Sequence, residues 1–415
     1  MKKNLVLLAV ATILSYIVLE IAWRASLDRV PLTLHKELGR LQWLAQPSKK
    51  GTVPKDYVLM IGDSYVEGLG DWLMRVVNDG NPKFNAAHIL HDQTGRDVLS
   101  FGFRGGSPSW TFVFQTTMAF RHMNLYAGID VAPPADVLAF FFEGNDVNDE
   151  IARLRFLMPA SFDRDRAADE AYMREYFRAL GAAAAATAST TGRWHPLRNA
   201  HLFDTATKLI KLAFKNLGKK TSTLAATDPS FRGGNDYREN WGRYEGSRVF
   251  ATTRDGPKPY PSPTVESFAF DSDNDIKIAA VWFQESLRYL KELFPGSRVI
   301  AVYIPTLSVT YDLADGAVLM DRIRGQLSEK VGPETFFSAA ALDQAHARTC
   351  GAIAAAAAKA GAAFINTRPH LRRRAYEWGY LHGPNDIGHF NQRGYTALAE
   401  AIAEGMTRPD SRGCG

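Results

Sequence analysis

The chain has 415 residues, of which 46% are hydrophobic and 11% aromatic, so it can bury a substantial core and is not a disordered chain. Its formal net charge of +5 is small, and the basic residues form neither zinc-finger spacing nor a long arm. Nucleic acid is therefore not an expected partner. The two cysteines, Cys350 and Cys414, exclude a disulfide framework, but they leave open both a single bridge and two free thiols.

The first element is an apolar run at the N-terminus. Leu5–Trp23 is almost wholly apolar and is interrupted by Glu20. Its 19 residues are close to the roughly 20 that a helix needs to cross a bilayer. The run ends in a tryptophan and Arg24, residue types that suit a membrane interface. We interpret residues 1–25 as a transmembrane signal anchor. The alternative is a cleaved signal peptide, which would have a shorter apolar core and small residues before the cut.

The connection to the rest of the chain is polar. Residues 26–55 contain Pro47 and Pro54 and several charged side chains, and we predict that they form a linker. The remaining residues, 56–415, are expected to form one large soluble body. Later apolar runs are too short or too amphipathic for a second membrane span.

Short apolar segments alternate with helical periodicity along the body. This alternation predicts an α/β fold, with a parallel sheet covered by helices on both faces. The predicted strands are Tyr57–Ile61, Asp97–Phe101, Val137–Phe142, Arg298–Ile304 and Ala362–Ile365. The predicted helices lie around Trp72–Val77, Asn85–Gln93, Ser109–Tyr126, Ile276–Leu293 and Ser338–Ala360.

The alternation of predicted strands and helices is interrupted between residues 149 and 275. This interval holds the alanine-rich stretch Gly181–Ala188 and a loop-like region, Thr227–Phe270, rich in glycine, proline and aromatic residues. We predict a large insertion, mostly helical and loop, within a single body.

Candidate functional residues follow the predicted strands. Ser64 comes after the first strand, Gly105 after the second and Asn145 after the third, while Asp386 precedes His389 by three residues near the C-terminus. The carboxyl ends of parallel strands meet at one edge of a sheet, where reactive groups collect. The set supplies a hydroxyl nucleophile, oxyanion donors and a carboxylate–imidazole pair, which are the parts that acyl transfer needs.

Each of these residues has an expected role. His389 would take the proton of the Ser64 hydroxyl, and Asp386 would orient the imidazole and stabilise its charged form. The backbone N–H groups of Ser64 and Gly105, with the Asn145 side-chain amide, would surround the oxyanion of the tetrahedral intermediate.

The order Gly-Asp-Ser, glycine, Asn-Asp and Asp-x-x-His resembles the SGNH (GDSL-type) hydrolase family, over about residues 56–148 and 276–415. The resemblance implies a three-layer α/β/α fold like that of flavodoxin, and esterase, lipase or carbohydrate-deacetylase activity without a metal or other cofactor. It also implies the same triad and oxyanion residues. Two departures occur: Ser100 stands where that family often has asparagine, and Glu143 begins a Glu-Gly-Asn-Asp block in place of Gly-x-Asn-Asp.

The sequence therefore predicts a membrane-anchored ester hydrolase with a Ser-His-Asp triad. The expected substrate is an acyl ester, with acetyl as the expected acyl group, on an envelope glycan or lipid. The expected location is the bacterial inner membrane, with the body in the periplasm. The alternatives are an O-acyltransferase that uses the same acyl-enzyme, and a non-catalytic glycan-binding or scaffold protein. No protein partner follows from the sequence.

Two clusters have both a binding and a structural interpretation. His88, His91 and Asp92 occupy neighbouring helical positions and would offer metal ligands, but without a partner cluster we prefer a capped or solvated histidine pair. An arginine run before the triad pair would attract an anionic sugar or phosphate, whereas the structural interpretation is a solvated charge run. The run comprises Arg368, Arg372, Arg373 and Arg374.

The insertion raises two more alternatives. Its aromatic residues would either stack on sugar rings or pack the insertion against the body; they are Tyr237, Trp241, Tyr244 and Tyr260. The segment His201–Lys220 has an apolar stripe flanked by lysines, as in a helix that lies in a lipid interface, although we prefer a surface helix packed on its own domain. Its lysines are Lys208, Lys211, Lys215 and Lys219.

Overall fold

The computed structural model of the protein describes most of the body and part of the insertion. The described residues are 2–126, 131–190, 206–207, 237–245, 247, 249–260, 264–265, 268–314, 317–321, 323–324, 329–330, 335–408 and 413–414. The predicted lysine-flanked helix at His201–Lys220 therefore lies outside the described residues, apart from Ala206 and Thr207.

The N-terminal run is a helix. α1 spans Lys2–Ala25, and within Lys3–Ala25 a window of 18 residues has a mean hydropathy of 2.5 and no residue buried in the protein. Its length and composition suffice to cross the roughly 30 Å hydrocarbon core of a bilayer. Membrane anchors and signal sequences share this property.

Five parallel strands form the central sheet. They are β1 Val58–Gly62, β2 Val98–Gly102, β3 Asp136–Phe142, β4 Arg298–Ile304 and β5 Ala363–Asn366. Their spatial order is β2-β1-β3-β4-β5, the 2-1-3-4-5 order of flavodoxin-like doubly wound sheets. All five predicted strands are confirmed, with ends that agree within one residue.

Both faces of the sheet are covered, which explains why the strands have unbroken apolar sequences. Along β1, Val58 and Met60 belong to one core, and Leu59 and Ile61 to the other. The first core includes helices α4 (Ala86–Thr94) and α12 (Gln392–Thr407), and the second includes α8 (Asp273–Leu293) and α10 (Ala339–Lys359). The sheet thus lies between two helical layers.

The other helices and strands are short, or belong to the insertion and its surroundings. The helices are α2 Ser64–Glu67, α3 Asp71–Val76, α5 Thr116–Tyr126, α6 Asp146–Ala152, α7 Glu170–Thr190, α9 Leu307–Thr310 and α11 Arg368–Trp378. The short strands are Phe250–Ala251, Lys258–Pro259, Thr264–Val265, Leu313–Ala314, Ala317–Asp321, Ile323–Arg324, Glu329–Lys330 and Thr335–Ser338.

Residues 26–55 differ from the predicted linker, because they pack on the body. Leu27 and Leu44 are fully buried in the core that includes Leu59. The Gln46 side chain exchanges two hydrogen bonds of 2.7 and 2.8 Å with the backbone of Ser100. This contact covers the edge strand β2, whose unpaired backbone groups would otherwise be exposed. The sequence predicted a linker because the composition of this segment is polar and its buried leucines are widely spaced.

The first part of the insertion also packs on the body. Helix α7 lies against α8, and a separate apolar cluster joins them. At its centre Trp282 is fully buried and donates its indole N–H to the Ala167 carbonyl at 2.8 Å. Phe162 and Phe177 contact its ring. This part of the insertion therefore extends the helical layer on one face of the sheet.

The two cysteines form a disulfide bond. Cys350 in α10 is paired with Cys414, 64 residues later in the sequence, and their Cα atoms are 5.7 Å apart. The C-terminal residues are thereby joined to a buried position of the body. Of the two alternatives left open by the sequence, the bridge is the one observed.

Candidate active site

The Gly-Asp-Ser segment is the turn from β1 into α2. A side chain at Gly62 would approach Val66 and Phe140 within 3 Å, so only glycine fits where the helix meets the sheet. Asp63 is the N-cap of α2, and its Oδ1 accepts the Tyr65 backbone N–H at 3.0 Å. Ser64 is consequently the first residue of a helix at the carboxyl edge of the sheet, and only 7% of it is exposed.

Three residues that the sequence predicted to act together are joined by hydrogen bonds. The Ser64 Oγ lies 2.9 Å from His389 Nε2, and His389 Nδ1 lies 2.7 Å from Asp386 Oδ2. The imidazole therefore bridges a hydroxyl and a carboxylate that are more than 300 residues apart in the sequence. This is the arrangement in which a histidine can take a serine proton while a carboxylate holds the ring.

The electrostatics of the pair suit this arrangement. Burial disfavours the charged imidazolium, but the Asp386 charge and hydrogen bond outweigh it, and the pKa of His389 is raised above 6.5. Burial likewise opposes ionisation of Asp386, but His389 and the Gly388 N–H lower its pKa. Each partner thus stabilises the charged form of the other.

The predicted oxyanion residues lie at the ends of the adjacent strands. Gly105 lies in the turn that follows β2, closed by a 3.0 Å hydrogen bond from the Gly106 N–H to the Phe103 carbonyl. Its φ of +65° is a conformation that favours glycine. Asn145 follows β3 and precedes α6, yet its side chain does not cap that helix. The amide is therefore not committed to the helix terminus.

Buried carboxyl groups surround this edge of the sheet. Burial raises the pKa of Asp63, although the Tyr65 N–H, the His389 charge and the Asn145 amide favour its ionised form. Burial also raises the pKa of Asp146 well above its usual range, and the neighbouring carboxyl groups add to the effect. The site is thus a low-dielectric region in which added negative charge is costly, apart from positions with dedicated donors.

Asp71, at the start of α3, holds the segment that carries the triad carboxylate. Its carboxylate accepts the backbone N–H groups of Asn385 and Asp386, each at 3.0 Å, and the Tyr237 hydroxyl at 2.8 Å. The side chain is almost fully buried, and burial raises its pKa despite these donors. Nothing in the sequence distinguishes this residue, because an acidic side chain in the first turn of a helix is ordinary.

Two tyrosines fix the histidine segment to the serine segment. The Tyr65 hydroxyl donates to the Gly388 carbonyl at 2.8 Å, and its ring lies 5.4 Å from the His389 ring. The Tyr395 hydroxyl donates to the Leu69 carbonyl at 2.6 Å. Both tyrosines are buried. The distance between Ser64 and His389 is therefore maintained by bonds on either side of the pair.

Glu143, one of the two departures from the family pattern, has a structural role. It is fully buried, receives the Thr306 backbone N–H at 3.1 Å and lies 2.9 Å from His346 Nδ1. These contacts join the ends of β3 and β4 to α10. Ser100, the other departure, donates its hydroxyl to the Val66 carbonyl at 2.5 Å and so supports α2.

His88 and its neighbours have structural partners. His88 is buried, its Nδ1 accepts the Phe84 N–H at 2.9 Å, and burial lowers its pKa to about 3. The His91 ring contacts the Arg96 carbonyl at 2.6 Å. Within the part of the chain that the structure describes, no group of three or more histidine, cysteine or acidic residues is placed to hold a metal ion.

The arginine run is bound by carboxylates. Arg374 pairs with Glu400 at 2.8 Å and Glu377 at 2.6 Å, and Arg372 pairs with Asp312 at 2.7 Å. The remaining pairs are Arg368 with Asp343 and Arg373 with Glu404. This network favours the structural interpretation over an anion site.

Comparison of the chain with family models, with curated proteins and with solved structures found no match in any of the three.

Proposed function

We propose that this protein is a membrane-anchored serine ester hydrolase of the SGNH (GDSL) type. Its proposed substrate is an acyl ester, with acetyl as the expected acyl group, on an envelope glycan or lipid. The observation that carries the proposal is the hydrogen-bonded series Ser64–His389–Asp386, with distances of 2.9 and 2.7 Å. A non-catalytic scaffold protein would not require these two hydrogen bonds at the carboxyl edge of the sheet.

The proposed reaction has two steps. In the first, His389 takes the Ser64 proton while Oγ attacks the ester carbonyl, and the imidazolium then protonates the leaving alcohol. In the second, His389 takes a proton from water, which attacks the acyl-enzyme, and the acid and free serine are released. The raised pKa of His389 favours the imidazolium that both steps form.

The negative charge of the tetrahedral intermediate needs donors. The proposed donors are the backbone N–H groups of Ser64 and Gly105 and the Asn145 side-chain amide. One such donor typically lowers the barrier by about 2.7–4 kcal/mol. Burial raises the pKa of Asp63 and Asp146, so a negative charge at this edge of the sheet is unfavourable unless donors stabilise it.

Two features support the proposed anchor and a periplasmic location. Trp23 packs against the buried core, and the Arg24 carbonyl accepts the Thr52 hydroxyl at 2.9 Å, so the end of α1 is joined to the body. Signal cleavage near residue 25 would cut this packed junction. The Cys350–Cys414 disulfide supports an oxidising compartment, where such bonds persist.

The direct test is an ester panel with the full-length protein in detergent. Aryl acetates, longer acyl esters and O-acetylated glycans would be supplied, and free acid would be measured. We expect acid release by the wild-type protein and none by Ser64→Ala. Release of acid from no ester, or equal release by the two proteins, would contradict the proposal. Acyl transfer to an added glycan without acid release would favour the O-acyltransferase.

A further inference from the structure

A groove of about 910 Å³ lies beside the segment that carries His389, because Pro384 and Asn391, which flank that segment, line the groove. Among the described residues, one side is formed by the insertion, including Tyr237 and Trp241, and the other by Tyr380 and Asn391. Asp71, which holds the triad carboxylate segment, also lines it. The insertion and the catalytic segment thus create a binding space that neither forms alone.

The groove contains an aromatic platform. Trp241 and Tyr380 are stacked, with ring centroids 5.1 Å apart and planes inclined by 27°, and Trp241 is 38% exposed. Tyr244 supports the pair from below and is buried, as is Tyr260. The predicted aromatic set therefore divides: two members pack the insertion, while Trp241 and Tyr237 line the groove. An exposed ring on a rigid stack is suited to the apolar face of a sugar ring.

Four carboxylates and four basic side chains line the groove, and the two sets differ in their partners. Each carboxylate that lines it already has a partner: Asp71 binds two N–H groups and a hydroxyl, Glu239 the Trp241 indole, Asp255 Arg254, and Glu377 Arg374. In contrast, no carboxylate of the described residues pairs with Arg75, Lys258 or Arg393. Arg75 contacts Gln392, Lys258 lies 5.9 Å from the Tyr380 ring, and Arg393 donates to the Trp378 carbonyl. Three cations are therefore available to a ligand.

We infer that this groove binds an acidic glycan, a chain of sugars that carry carboxylate or similar anionic groups. Trp241 stacks on a sugar ring, and Arg75, Lys258 and Arg393 bind its anionic groups. Two hydrogen bonds, from Tyr237 to Asp71 and from the Asp386 N–H to Asp71, connect the groove to the segment that carries the triad carboxylate. The inference that the bound glycan carries the ester rests on the proposed function, whereas the inference that the groove binds an acidic glycan does not.

The test is binding without turnover. Isothermal titration calorimetry would use the full-length Ser64→Ala protein in detergent, with hexagalacturonate as the acidic probe and maltohexaose as the neutral one. We expect hexagalacturonate to bind more tightly than maltohexaose. Its affinity should fall as salt rises from about 50 to about 300 mM, because salt screens exposed charges.

Substitutions locate the site. Trp241→Ala should weaken hexagalacturonate binding roughly tenfold, as expected for an aromatic anchor. Lys258→Gln should weaken it and flatten its salt dependence. The matched controls are Phe156→Ala and Lys55→Gln, which change exposed residues that do not line the groove, and they should bind like the parent protein.

The inference is overturned if hexagalacturonate does not bind, if maltohexaose binds equally well, or if Trp241→Ala has no effect. Failure of the proposed function has a different signature. If the wild-type protein hydrolyses no ester while hexagalacturonate binding still depends on Trp241, the groove inference stands and the hydrolase proposal falls.

Discussion

Replacing Asp71 by asparagine tests whether the triad depends on the contacts that hold its carboxylate segment. The Asp71 Oδ2 accepts the N–H groups of both Asn385 and Asp386, and Oδ1 lies 3.2 Å from the Asn385 nitrogen. The Asp71→Asn substitution would keep the shape but replace one acceptor oxygen by an NH₂ group, which cannot accept an N–H donor. Both N–H groups have their 3.0 Å contacts with Oδ2. Either the NH₂ group takes that position and both lose their acceptor, or the amide oxygen takes it and both contact a neutral acceptor in place of a charged one.

The expected loss of activity follows from the loss of the charged acceptor. A hydrogen bond to a charged group contributes about 1.5–3 kcal/mol. If all of this free energy serves to place Asp386 against His389, kcat/KM should fall roughly 10- to 150-fold. A weaker Asp386–His389 pair would also stabilise the imidazolium less, so the pKa of His389 should fall and the acid limb of the pH profile should move to lower pH.

The assay is kcat/KM for an aryl acetate across the pH range, with thermal unfolding measured in parallel. Asp79→Asn, on an exposed carboxylate nearby, is the matched control and should behave like the wild type. Tyr237→Phe removes one donor but leaves both N–H contacts, so its effect should be less than about tenfold. A folded Asp71→Asn protein with the wild-type rate and an unmoved acid limb would refute the reasoning.

Three other predictions concern the oxyanion donor, the base and the anchor. Asn145→Ala should lower kcat by about 10²–10³ with little change in KM, measured with the same ester; a normal kcat would remove Asn145 from the reaction. In the wild-type protein, kcat/KM should decline as pH falls through a pKa above 6.5, because protonated His389 cannot accept the serine proton; full activity well below that pH would contradict this role. The full-length protein should stay in the membrane fraction after alkaline washing because of Leu5–Trp23, and its appearance in the soluble fraction would indicate cleavage.

The sheet could be predicted because its strands are buried on both faces. A strand such as Arg298–Ile304 then has a continuous apolar sequence between polar turns, and its ends are found to the residue. The candidate triad could be predicted as a set because Ser64 and His389 follow or precede recognisable elements. The hydrogen bonds between these residues could not be predicted from the sequence, because they depend on the tertiary fold.

Other features had no local signal. The leucines of residues 26–55 are too widely spaced in a polar sequence to indicate burial, and only tertiary packing reveals that this segment covers β2. Asp71 acts on Asn385 and Asp386, over 300 residues away in the sequence. The groove combines the insertion with the catalytic segment, and its binding groups belong to no single stretch of sequence.

The central claim is that Ser64 is a nucleophile activated by His389. The most direct measurement is mass spectrometry of the intact protein after brief incubation with an activated ester. We expect one added acyl group on the wild-type protein, located on the peptide that contains Ser64, and none on Ser64→Ala or His389→Ala. An acyl group on Ser64→Ala, or turnover by a wild-type protein that is never acylated at Ser64, would contradict the account.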